Sequence, residues 1–232
     1  MRTDPRPGLA LISAMLLAGL PSSAPAQGGG DPVGAVVLGR WHYDGGGDWY
    51  ANPSALPNLA AAVRERTAIP VAARERAVSL GDPALWDIPY LHATGHGNLR
   101  LSDAELPILR RWLVQGGFLH IDDNYGMDLS VRRELARLFP DRPLVEVPLD
   151  HPVYSLVYRL PEGIPKIHEH DGKPAQGFGI FIDGRLAVFY SYQADLGDGW
   201  EDPAVHDDPP ELREAALRMG VNLVAYAVGW GG

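Results

Sequence analysis

The chain has no cysteine, which excludes disulfides, thiolate nucleophiles and zinc–thiolate sites in any compartment. It also lacks a basic cluster. With a formal net charge of −9 over 232 residues, it makes a poor nucleic-acid binder. Long apolar runs are scarce. Residues 8–20, GLALISAMLLAGL, are short for a bilayer span, follow a basic start at Arg2 and Arg6, and lead into Ala24-Pro25-Ala26 before Gln27. This pattern predicts a secretory signal peptide over residues 1–26 and an exported, periplasmic or secreted protein with no transmembrane anchor after cleavage. Cleavage would remove two arginines and one aspartate, leaving −10. Residues 27–33, rich in glycine, read as a flexible lead-in, and 34–230 suit a single domain with its own core.

Phosphate-binding motifs are missing too. The run Gly45-Gly46-Gly47 has neither G-x-G-x-x-G spacing nor a P-loop Lys-Ser/Thr, and Asp44 and Asp48 flank it. Fixed carboxylates repel phosphate, so no nucleotide cofactor is expected. The glycines instead allow a sharp turn or a close approach of backbone to a neutral ligand. Asp48-Trp49, an aromatic beside a carboxylate, suits a sugar or polyol, and equally suits ordinary loop packing.

The pattern that is present alternates strands and helices. Strands are expected at 34–41, 77–80, 88–94 and 118–122, and helices at 57–66, after Ser102 and at 129–139. The middle helix is marked by a Ser102–Glu105 capping box, with Leu101 and Leu106 at staple positions and Gly116-Gly117 at its end. Short links between such units imply a mostly parallel sheet with helices on both faces. Residues 177–192 read as a hairpin turning at Gly184-Arg185, and 211–228 as a last helix. Ligands of open parallel sheets bind beyond the strand carboxyl ends. Three polar loops should meet there: 43–49, 94–98 and 122–126. They carry Asp44, Gly46, Asp48, Trp49, His96, Asn98, Asp122, Asp123, Asn124 and Tyr125.

Several of these residues suit chemistry. His96, between two glycines, can serve as acid or base near neutral pH, or stitch its loop by a backbone bond. Asp123, after a strand and before a helix, can act as base, nucleophile or metal ligand, or close the turn on its own backbone. His168-Glu169-His170-Asp171 is the densest group. An extended segment would point His168 and His170 to one side, where they could chelate a divalent metal if a third ligand came from elsewhere. A metal-free site, with one histidine oriented by Glu169 or Asp171, and an inter-loop hydrogen-bond network are the alternatives. Residues 195–208 hold six carboxylates and no Lys or Arg, but miss the calcium-loop spacing. They read as a solvated loop in which Trp200 could act as a lid.

Taken together, RWHYDGGGDWY, TGHGN, GGFLHIDDNYGMD, PKIHEHDG and YSYQADLGDGWED resemble the bacterial family catalogued as domain of unknown function 4159, over about residues 34–228. More distantly, LSDAELPILRRWLVQGGFLHID and DHPVYSL are similar to the class I glutamine amidotransferase-like superfamily, especially its trehalose-utilisation-type branch. That resemblance implies a flavodoxin-like sheet and a link to sugars. It does not carry over glutamine hydrolysis, because the superfamily's elbow cysteine is replaced here by Asp122-Asp123-Asn124. The expected function is binding, with hydrolysis as an added activity, of a small polar or carbohydrate ligand. In that scheme His96, Asp123, His168 and His170 carry the chemistry, and the remaining loop residues with Glu169 hold the ligand. The alternative is a non-catalytic module recognising an envelope protein or glycan.

Overall fold

The computed structural model describes Met1 and residues 31–230; the expected signal peptide beyond Met1, its cleavage point and residues 27–30 lie outside the described residues. Seven strands form one sheet in the order β2-β1-β3-β4-β7-β6-β5. β1 (Leu38–Trp41), β2 (Arg76–Val78), β3 (Tyr90–His96), β4 (Phe118–Tyr125) and β7 (Arg185–Tyr192) are parallel to one another. β6 (Gln176–Ile182) and the short β5 (Val145–Glu146) extend the sheet antiparallel beyond β7.

The central strands read as unbroken buried runs because helices cover both faces. On one face α1 (Ala55–Arg66) and α6 (Pro210–Trp230) pack Leu56, Leu59, Val63, Met219 and Leu223 over Leu38, Tyr90, Phe118 and Phe189. On the other, α2 (Glu105–Val114) and α3 (Asp128–Leu138) pack Leu109, Leu113, Val131 and Leu135 over Leu91, Leu119, Ile121 and Val188. The Cβ alternation of the strands sorts these residues to their faces.

Several expectations shift in detail. β1 begins at Leu38 rather than residue 34, although Val36 still bridges Val71 in parallel. α1 begins at Ala55, before Pro57. At the start of α2, Glu105 reaches back to the Ser102 N–H at 2.8 Å, as a capping box requires. The Ser102 hydroxyl, however, donates to the same carboxylate at 2.7 Å instead of accepting from the helix. The hairpin turns at Asp183-Gly184, with φ of 51° and 85°, not at Gly184-Arg185. A two-residue turn matching the strand twist needs positive φ at both positions, which Asp-Gly tolerates and Arg does not.

The largest departure is the acidic stretch 195–208. It folds into two short helices, α4 (Leu196–Trp200) and α5 (Pro203–His206). Trp200 is not a lid. It is fully buried between α1 and α6, and its indole N–H donates to Ala216 O at 2.8 Å.

Candidate functional site

The site is built where β3, β4 and β7 end. β4 runs on through Tyr125, so Asp122-Asp123-Asn124 stands on the strand and not in the turn expected after Asp122. Parallel pairing of Thr94 with Asp122 and Gly95 with Asp123 holds it there, and a register shift follows before His96 pairs with Tyr125. Asp122, Asp123 and Asn124 are all buried.

Their bonds explain how buried polar groups survive at a strand end. Asp122 accepts from the Leu196 N–H at 3.2 Å, the Gly197 N–H at 2.7 Å and the Ser191 hydroxyl. Burial still dominates and pushes its carboxyl up to about 7. Asp123 closes the turn into α3, accepting from the Met127 N–H at 2.9 Å and the Tyr190 hydroxyl at 3.0 Å. Asn124 accepts from Thr94 Oγ1 at 2.7 Å and donates to Asp198 Oδ1 at 2.9 Å. Asn52 donates to the same Asp198 oxygen at 2.7 Å. Beneath the edge, His120 links Ser191 at 2.9 Å to Tyr90 at 2.9 Å and to His92 at 3.1 Å, and all four residues are wholly buried. His92 and His120 are therefore core groups, as their strand positions imply.

The 168–171 segment reaches this edge. The Ile167 N–H donates to Ala194 O at 2.9 Å and pins the segment to the exit of β7. The chain bends at both His168 and His170, and the two imidazoles meet at one oxygen, Asp195 Oδ2, 3.6 Å from His168 Nδ1 and 2.5 Å from His170 Nε2. His170 stacks on Tyr125, with ring centroids 4.7 Å apart, and its Nε2 lies 2.5 Å from Asp195 Oδ2. His168 also faces Asp198, 2.9 Å from Nδ1, and Asp208, 3.0 Å from Nε2. Glu169 is exposed and faces neither histidine; it holds Lys166 and the Gly172 N–H, each at 2.9 Å.

The glycine loop and the His96 loop form a rim stitched to itself. His96 offers both its backbone N–H and Nδ1 to Asp48, the ring nitrogen at 3.1 Å. Burial alone would raise Asp48, but these bonds outweigh it and hold the carboxyl below its usual range. A Cβ on Gly47 would come 2.7 Å from His96 O, and one on Gly45 would come 2.7 Å from Asn98 O. These glycines therefore serve close approach between two loops. Asp44, Gly46 and Asn98 are exposed. Trp49 is half-buried and stacks on His42 with centroids 4.1 Å apart, which is loop packing.

Four groups that sequence reasoning passed over belong to the site: Asp195, Asp198, Glu201 and His206. The signal was present. Asp195, Asp198 and Glu201 recur every third residue, a helical spacing that gathers them to one side of α4. Asp195 is pushed up to about 9 by burial and by the neighbouring Asp122, Asp198 and Asp123. A carboxyl so raised holds its proton at neutral pH, within reach of His170. Asp195 and Gln193 both have left-handed backbone, with φ of 55° and 57°. Each also carries one buried side-chain oxygen without a hydrogen-bond partner in the structure. Beside them opens a cleft of about 390 Å³ lined by Asp123, Tyr125, Asp128, Asp171, Lys173, Tyr192 and Gln193. A second cleft of about 620 Å³, at Trp86–Pro89 and Gln115–Gly117, lies where β3 and β4 begin, at the opposite end of these strands.

The domain of unknown function described as DUF4159 matches residues 37–228, and the chain belongs to that family. No curated protein matches the sequence.

Proposed function

We propose that this member of the DUF4159 family is an exported protein that binds, and hydrolyses, a small polar or carbohydrate ligand in the cleft at the carboxyl edge of its sheet. The observation that carries this reading is the exit of β7. Gln193 lines an open cleft, and it and Asp195, two residues further on, each hold left-handed backbone and one buried, unpartnered oxygen. Strain of this kind costs about 1–3 kcal/mol per residue and concentrates at functional sites. Tyr125, exposed at the cleft, offers a ring face to a sugar, while Lys173 and Gln193 offer polar contacts. His170 and the protonated Asp195 form an acid–base pair next to Tyr125. The parallel strands follow the 2-1-3-4 order with β7 as the fifth, which supports a flavodoxin-like assignment and the amidotransferase-like relationship. In such sheets ligands lie at the strand carboxyl ends.

The purified chain screened against sugars and against ester, amide and glycoside chromogens tests this. Turnover that His170→Asn lowers by about 100-fold or more supports acid–base catalysis, whose usual contribution is about 10²–10⁴-fold. Saturable binding without turnover, weakened by Tyr125→Ala, supports the non-catalytic module that recognises an envelope protein or glycan. Neither binding nor turnover would remove the ligand reading.

A further inference from the structure

We infer that His168, Asp198 and His206 form a binding site for one divalent transition-metal cation of the Zn²⁺ type. The inference stands apart from the ligand proposed above, because ion binding is read with no substrate present. One ligand atom from each of the three residues falls within 4.8 Å of the others. They come from three separate segments: the loop before β6, α4 and the end of α5.

The donor set is the first reason. Two imidazoles and one carboxylate suit a borderline cation and not the oxygen-only preference of Mg²⁺ or Ca²⁺. Three protein ligands leave a coordination position open to water. His168 and His206 retain side-chain exposures of 26% and 29%, so that position faces solvent.

Orientation of the ligands is the second. Asp198 divides its carboxylate: Oδ1 takes the two amide bonds from Asn52 and Asn124 and lies 3.9 Å from His206 Nε2, while Oδ2 faces His168 Nδ1 at 2.9 Å. The other ring nitrogen of His168 lies 3.0 Å from Asp208 Oδ1. A carboxylate behind a histidine fixes the tautomer of a metal-binding ring and raises its basicity. Asp208 is itself nine-tenths buried, and its second oxygen, Oδ2, is buried with no hydrogen-bond partner.

Charge is the third. Asp198, Asp208 and Glu201 all lie within 4.0 Å of one of the two imidazoles. Lys166, the nearby ammonium, is engaged with Glu169 and Lys173 O. Buried carboxylates in excess of cations are costly, and a bound divalent ion offsets that cost.

The test is titration of the tag-free, chelator-treated full chain with Co²⁺ followed by visible absorption, and with Zn²⁺ by competition. The expected result is one tight equivalent with the d–d bands of a low-coordinate nitrogen/oxygen site. His206→Ala should weaken it by about 100-fold or more, and Asp208→Asn, which removes only the positioning carboxylate, by about 10–100-fold. His42→Ala, an exposed histidine on the rim, should leave affinity unchanged. Circular dichroism of each variant establishes that it is folded. No binding by the wild type, or binding that folded His206→Ala retains, or an equal loss in His42→Ala, would overturn the site.

Discussion

Asp122 and His120 are two buried ionisable residues joined through Ser191, and their protonation acts in opposite directions. Burial pushes His120 down to about 3, so it stays neutral in the fold while the unfolded chain takes up a proton near pH 6.5. Its contribution to stability is complete above about pH 6.5 and is lost as pH falls toward 3. Asp122, raised to about 7, does the reverse: its contribution is present below the ordinary carboxylate range near 3.8 and is lost as pH rises through 7. The net curve mixes the two, but a difference separates them. The stability gap between wild type and His120→Gln, from urea melts, should shrink steadily from pH 7 to pH 4. A gap constant with pH would contradict the neutral buried imidazole. Gly197 offers a second check. A Cβ there would meet Asn52 Nδ2 at 2.6 Å and Asp122 Oδ2 at 3.2 Å. Gly197→Ala should therefore destabilise the fold by about 1–3 kcal/mol, as overpacking does; a neutral result would mean that α4 can move away from the edge. None of these pairings was legible in sequence. Ser191, Asp195 and Asn52 looked like ordinary loop and strand residues, because strand register places Ser191 opposite Asp122 and only the packing of α4 and the loop before α1 brings in the other two.

At the scale of elements, α4 is the piece that turns a sheet edge into a site. Its sequence, LGDGW, has two glycines and little helical propensity, so packing and not propensity holds it. Gly199 lets it approach α6, where a Cβ would come 2.5 Å from the Ala216 methyl group, and Trp200 anchors it in the core. Trp200→Ala should cost about 3–5 kcal/mol in a denaturant melt, the range for emptying a large core site. A change under 1 kcal/mol would restore the surface-lid reading of this residue. The strands and long helices were legible because their apolar periodicity is strong, as in α2 with Leu109 and Leu113. What failed was the stretch 195–208. Six carboxylates imply solvent when read as composition, and only the three-residue spacing of Asp195, Asp198 and Glu201 hinted at a turn of helix facing inward. The segment around His168 failed for a related reason. Its direction was read as extended, and the chain instead bends at both histidines, which share Asp195 while His168 alone also reaches Asp198 and Asp208.

For the whole molecule, the account claims that ligand recognition belongs to one end of the sheet. Both ends carry a cleft, and the one at Trp86–Pro89 and Gln115–Gly117 is the larger. Volume alone would choose that one. The proposal rests on the other, where left-handed backbone, raised carboxyls and two half-buried imidazoles converge on the ends of β4 and β7. Among the described residues, no helix is long and apolar enough to cross a membrane. The position proposed for the site, at the strand carboxyl ends, follows from the parallel strand pattern in the sequence. Its composition did not, since His168, His170 and the groups from Gln193 onward lie in the half of the chain where that pattern gives no direction. The most direct measurement is a chemical-shift map of the isotope-labelled protein titrated with a library of small polar and carbohydrate ligands. The account predicts perturbations at residues 123–126, 168–173 and 192–195. Perturbations confined to residues 86–89 and 115–117 would contradict it.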